Sequence, residues 1–169
     1  MDQQKDPVDR VEPDAALAVV VNQRPRDFLE FQLWLGELEA AMLGTPQVTC
    51  PVRHEFADGV YARIMAAPAG TLVLGKRHRY RTFNVLLSGE VTVYAGASQP
   101  VRRLTAGATF TSDALTRKLL FFHKDSEFMN IHPTTARDED EIENQFIIPE
   151  QEFLARLESS GGEDRLWLG

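Results

Sequence analysis

The chain has 169 residues, enough for one domain with arms and for a core that needs no disulfide staples. Its hydrophobic fraction of 43% and charged fraction of 25% are those of an ordinary globular protein, and its net charge of −7 excludes a partner bound by neutralising phosphates. The single cysteine, Cys50, excludes an intrachain disulfide and points to a reducing compartment.

Residues 1–26 are rich in Asp, Gln, Pro and Arg around one short apolar run, Ala15 to Val21. That run is too short for a membrane span, which needs about 20 apolar residues, and no targeting segment is visible. The segment reads as an arm that is either flexible or ordered only against a partner.

Residues 27–44 predict a helix. Asp27 is an N-cap with Glu30 three residues on, and Phe28, Phe31, Leu35, Leu38 and Met42 recur at three- and four-residue steps, with Leu33 and Trp34 beside them. Gly44 suits a left-handed C-terminal turn, and Pro46 forbids continuation. The apolar face either packs on the rest of the chain or contacts another subunit; Phe28, Phe31, Trp34, Leu35, Leu38 and Met42 are the contact candidates, together with Trp167 near the end of the chain.

Residues 45–133 change to a strand-like period. Val60–Met65, Thr71–Leu74, Phe83–Leu87, Val91–Tyr94, Val101–Leu104, Lys118–His123 and Phe128–Ile131 are short β-prone runs punctuated by glycine turns. No crossover segment separates them, so the pairing is antiparallel and the architecture a sandwich or barrel. Leu86, Leu87, Val91, Val93, Leu119, Phe121 and Phe122 supply bulk enough to fill a small interior. Lys76, Arg77, His78, Arg79 and Arg81 form a basic run, read as a solvated strand end. Residues 134–169 hold an acidic stretch, Arg137 to Glu143, that is a solvated linker or helix start. Phe146, Ile147 and Ile148 then form an edge strand or staple the next helix, which runs from Pro149 to Leu157 before a turn-rich tail.

The stretch Pro68-Ala-Gly70, Gly75-Lys-Arg-His78-Arg-Tyr80 and Asn84-Val-Leu-Leu-Ser-Gly89 resembles the first motif of the cupin superfamily. The resemblance implies a mainly β fold: a cupin or jelly-roll antiparallel β-barrel, here with an N-terminal helix and a short C-terminal helix. In that family three histidines and a glutamate hold a transition metal inside the barrel. Here His78 takes the place of the first histidine, while Tyr80 and Asn84 stand where the second histidine and the glutamate would be. The second motif region, Thr111 to Arg117, lacks its Pro-x-Gly turn and its histidine, and His123 lies too far along to serve.

His78, Tyr80, Asn84 and His123 therefore form a vestigial pocket at most. One histidine with an amide and a phenol does not make a metal shell, so no metal, no cofactor and no catalytic residue is expected. His54, His123 and His132 could converge in space, but no spacing rule supports it. Neither a phosphate-binding glycine loop nor a Gly-x-Ser-x-Gly elbow occurs.

Pro46 to Glu143 also resembles small cupin-like proteins of tailed bacteriophages, through Pro51-Val-Arg-His54, Gly59-Val-Tyr61-Ala-Arg63 and Asn130-Ile-His132-Pro-Thr134. It departs from them at Arg81-Thr82, where an acidic-histidine pair is more usual. That resemblance implies a structural protein of the virion, a capsid decoration or cement protein or a neck or tail component. Such a protein acts as a homo-oligomer on other capsid or tail proteins, is assembled in the bacterial cytoplasm, and has neither nucleic-acid nor membrane contacts. The alternative is a small-molecule or sugar-binding cupin, with metal-dependent isomerase or dioxygenase activity as its catalytic form. The two differ in one respect: a binding protein needs an open internal pocket, whereas a structural unit can fill its barrel.

Overall fold

The computed structural model describes residues 25, 27–95 and 100–159. Helix α1 (Phe28–Leu43) precedes nine strands: β1 (Val52–Ala57), β2 (Val60–Ala67), β3 (Leu72–Leu74), β4 (Thr82–Ser88), β5 (Glu90–Tyr94), β6 (Arg102–Thr105), β7 (Thr109–Ser112), β8 (Leu119–Phe122) and β9 (Ser126–Pro133). Helices α2 (Glu139–Phe146) and α3 (Glu150–Ser159) follow.

The strands form two sheets, ordered β1-β2-β9-β4-β7 and β3-β8-β5-β6, and every pairing is antiparallel. From β2 to β9 the chain changes sheet at each connection except the β5–β6 hairpin. Two Greek keys wound in this way make a jelly roll, with β1 added at the β2 edge. This is the architecture implied by the cupin resemblance. Strands β1 and β7 lie outside the predicted runs. Both are edge strands, and their half-exposed, polar-rich alternation carries a weak signal.

Between the sheets, Met65, Leu86, Val91, Val93, Phe110, Leu120, Phe122 and Phe128 form the main core. The predicted interior set is only partly right. Leu87 is exposed, and Leu119 belongs to a second cluster with Tyr94, packed by Trp34, Leu38 and Phe121. Phase explains this: Leu120 and Phe122 point inward, so Leu119 and Phe121 point out, under α1.

The face of α1 is thus covered by its own barrel. Phe31 and Leu35 are fully buried, and Trp34 and Leu38 pack on the outer surface of β5 and β8. These four contact candidates are used within the chain, because the outward Tyr94, Leu119 and Phe121 need the same apolar cover. Met42 is half-buried, while Trp167 and the Phe28 side chain lie outside the described residues. Asp27 caps α1 as expected, its Oδ1 accepting from Glu30 N at 3.1 Å. Gly44, however, is right-handed (φ −76°). Thr45 Oγ1 and Gln47 Nε2 instead donate to the Met42 carbonyl at 2.7 and 2.8 Å, beside the Thr45 N–H at 3.0 Å, so no left-handed turn is needed.

The basic run is solvated only in part: Lys76 and Arg81 are exposed, but Arg77 is not. Arg77 is buried, its Nε and Nη2 donating to the Glu150 carboxylate at 3.2 and 2.9 Å and its Nη1 to Leu115 O at 2.6 Å. Lys76 pairs with Glu143, Arg79 with Glu152 and Arg81 with Asp113. The partners come from distant segments that local sequence cannot show. The pairs made by Lys76, Arg77 and Arg79 fasten α2 and α3 to the barrel. Ile147 bridges to His78, and Phe146 and Ile148 are buried beside it.

Candidate functional site

The strand register builds an internal cavity from three rows of inward side chains. Val52 stands opposite Met65, and Met65 opposite Phe128, giving an apolar row. Two residues along, His54 faces Arg63, Arg63 faces Asn130 and Asn130 faces Asn84, giving a polar row. Two further, Tyr61 faces His132. Side chains two apart on a strand share a face, so these rows all point into the barrel. Opposite them Val73, His78, Lys118 and Leu120 close the space, and α2 roofs it with Glu139, Ile142, Glu143 and Phe146. The space so lined has a volume of about 470 Å³.

The interior is therefore not filled by side chains as the sequence suggested. The expected bulk is divided between the core and the outer face beneath α1, and polar residues share the inward positions of β2 and β9 with Met65 and Phe128.

The polar groups are held by a network. Asn84 is wholly buried; its Nδ2 donates to the carbonyls of Thr82 and Phe110 at 2.8 and 3.1 Å, and its Oδ1 accepts from Asn130 Nδ2 at 2.7 Å. Lys118 Nζ donates to Ser112 Oγ at 3.2 Å, and the same hydroxyl accepts from Asn84 at 3.2 Å. His78 Nδ1 lies 2.8 Å from Thr82 Oγ1, and His54 Nδ1 lies 2.8 Å from Tyr61 Oη. The rings of His78 and His132 are 5.2 Å apart, and Phe146 of the roof lies 4.4 Å from His132.

Burial disfavours the positive charge of His78, His132 and Lys118. It pushes His78 down to about 2, helped by the nearby charges of Lys118, His132 and Arg63. His132 falls to about 4, through burial first and then Lys118 and Arg63. Lys118 is lowered to about 8 by burial and by Arg63. At neutral pH the cavity thus holds two uncharged imidazoles, a fixed guanidinium and an amine that is mostly protonated.

Of the four pocket residues read from the sequence, His78 lines the cavity and Asn84 supports it through Asn130. Tyr80 is half-exposed, edge-on to Phe146, and does not line it. His123 also falls outside the lining: it lies on the outer face of β8's sheet, against Phe121 and 2.7 Å from Thr92 Oγ1. His123 points away because alternation puts Phe122 inside, while Tyr80 lies in the β3–β4 connection, outside any strand. Tyr61, Arg63, Lys118, Asn130 and His132 were not read as a site. The available signal was the two-residue spacing Tyr61-x-Arg63-x-Met65 and Phe128-x-Asn130-x-His132, which places polar groups on an otherwise apolar face.

A divalent metal does not suit this donor set. Among the described residues no three His, Cys, Asp or Glu side chains converge as a metal group. The two closest imidazoles also lie in the field of two cations, Arg63 and Lys118, which repels a metal ion.

No family model matches the chain, and no curated protein matches it. By strand order it is an antiparallel jelly roll, and cupin proteins occur among the solved structures it is similar to. KdgF from a Halomonas species is 16% identical, with 57% of this chain and 88% of that one covered and a TM-score of 0.45. A cupin-2 domain protein from Shewanella frigidimarina is 11% identical, covering 58% and 92%, with a TM-score of 0.40. Salicylate 1,2-dioxygenase from Pseudaminobacter salicylatoxidans is 13% identical over 57% of this chain and 30% of its own, with a TM-score of 0.44. At TM-scores below 0.5 these likenesses carry no argument about activity.

Proposed function

We propose that this protein binds a small organic molecule inside its barrel without a metal ion. The observation that carries the reading is the 470 Å³ cavity, with its apolar row at one level and convergent polar groups at the next. Ligand sites commonly combine an apolar lining with a few fixed polar groups. Unfilled space of this size otherwise costs stability.

Metal-dependent isomerase or dioxygenase chemistry is disfavoured by the donor set. No specific observation among the described residues favours the role in a virion. The helix face expected to meet neighbours is largely covered, and the barrel is not filled. Contacts with other copies or with particle proteins stay expectations from the sequence.

The test is a thermal-shift screen of the full chain against a small-molecule library, with mass spectrometry of compounds released on denaturation. Ligands at a hundredfold excess over Kd stabilise by about 2.7 kcal/mol, well within detection. Val73→Trp, which fills the cavity, should abolish the shifts. If no compound is released or binds while Val73→Trp raises stability, the cavity is a packing defect and the proposal fails.

A further inference from the structure

We propose that the ligand is a small carboxylate monoanion whose acid group is held by Arg63 and Lys118, with its apolar body against Met65, Phe128 and Leu120. The inference rests on the small-molecule reading above and names the chemistry of that ligand.

The first observation is a missing counter-ion. Of the described cations, Arg53, Lys76, Arg77, Arg79, Arg81, Arg103, Arg117, Lys124, Arg137 and Arg156 each meet a carboxylate within 4.0 Å. Among the described residues that leaves Arg63, Arg102 and Lys118. Arg102 lies over the Phe110 ring at 4.8 Å. The other two face the cavity.

Lys118 is buried at 4% exposure, and its only described partner is the neutral Ser112 hydroxyl. Burying a charge without an opposite one is costly, so an enclosed lysine beside an arginine is a site that an anion completes. The neutral imidazoles and the Asn130 amide add uncharged groups that hydrogen-bond an oxyanion without competing for it.

The second observation concerns size and sign. Glu139 and Glu143 stand at the roof, with Glu139 Oε2 3.5 Å from His54 Nε2 and Glu143 paired to Lys76. A second negative charge on the ligand, directed outward, would meet these carboxylates, which selects against dianions. The apolar row one level below the cations suits a compact hydrocarbon body.

The charged and titratable groups that line the cavity with Lys118 are Arg63 and Tyr61 of β2, His132 of β9, His54 of β1, Lys76 and His78 between β3 and β4, and Glu139 and Glu143 of α2. Its amine sits at about 8, held down by burial and Arg63. A bound anion favours the protonated amine, so affinity is flat below that value. It weakens as pH rises above it, by at most about tenfold per unit.

Calorimetry on the full chain at pH 7 tests this with benzoate and hexanoate, their amides, succinate and inorganic phosphate. Both carboxylates should bind, and the amides roughly tenfold or more weakly, the scale of one lost charge-assisted hydrogen bond. Arg63→Met and Lys118→Met should each lose about as much, while Arg53→Gln, outside the cavity, should not. If Lys118→Met does not fold, the wild-type decline in affinity above pH 8 stands in its place. Amides binding as well as acids would overturn the anion and leave the cavity reading intact. Phosphate alone, or succinate more tightly than benzoate, would overturn the carboxylate monoanion. A cavity that takes neither these probes nor any library compound removes the small-molecule reading itself.

Discussion

The guanidinium of Arg77 lies 3.6 Å from the centroid of the Phe153 ring, stacking a residue of the β3–β4 connection on helix α3. The Glu150 carboxylate takes two of its hydrogen bonds, so one buried cation fixes both the start and the middle of the helix. Removing one member of a buried pair costs about 3–5 kcal/mol when a charge is left enclosed. Glu150→Ala leaves the fully enclosed guanidinium without its partner and should reach that range. Arg77→Met should cost less, because the Glu150 side chain keeps 26% exposure to water. Urea unfolding of the two variants gives the order; a larger loss for Arg77→Met would show that stacking on Phe153 outweighs the ion pair.

Gly89 and Gly107 both have positive φ, +84° and +87°, but only Gly89 is crowded. A Cβ there would lie 2.0 Å from Ser126 Oγ and 2.5 Å from the Asp125 carbonyl, whereas at Gly107 it meets nothing within 4 Å. Gly107→Ala should therefore cost only backbone strain, about 1–2 kcal/mol. Gly89→Ala adds a clash with main chain at the β4–β5 turn and should cost about 2–5 kcal/mol. Equal losses in thermal unfolding would count against the close approach of residues 125 and 126.

Leu35 has no exposed surface, while Leu33 on the same helix is 53% exposed. Leu35→Ala should destabilise by about 2–5 kcal/mol and Leu33→Ala by less than about 0.5. Because α1 packs on its own barrel, the unfolding midpoint of the Leu35 variant should not depend on protein concentration. A midpoint that rises with concentration would return this face to a subunit contact.

Acid should weaken the fold before its carboxylates titrate. His78 and His132 fall from an ordinary 6.5 to about 2 and about 4 in the folded chain, so below pH 6.5 the unfolded chain takes up protons that the folded one refuses. The stability associated with these groups is complete above 6.5 and is lost as pH falls towards the folded values. Two protons set a limiting slope of about 2.7 kcal/mol per pH unit. Chemical denaturation between pH 7 and 4.5 measures it, and His78→Gln or His132→Gln should each flatten it. An unchanged slope in both variants would mean that the imidazoles are accessible to protons.

What could be read from the sequence was whatever repeats locally. The three- and four-residue spacing of Phe31, Leu35 and Leu38 marked α1, Asp27 marked its start, and the apolar alternation around Leu86, Val91, Val93, Leu120 and Phe128 marked the central strands and the fold class. Local signals sufficed because helix and strand periods are properties of neighbouring residues.

The site was less legible. His78 was singled out, yet Tyr80, two residues on, lies outside the cavity, and Arg77, read as part of a solvated run, is buried. Whether Arg77 meets water or Glu150 depends on a residue 73 positions away, delivered by the docking of α3. Lys118 looked like the polar start of an apolar strand. Its place inside the barrel follows from the phase of β8, which pairing with β3 and β5 fixes; a slip of one residue would put Leu119 inward and Lys118 on the outer face. The sequence by itself determined the elements and their amphipathic faces. Only the tertiary structure decided which face encloses a cavity and which charges are left there without counter-ions, because both depend on register and on contacts between segments far apart in the chain.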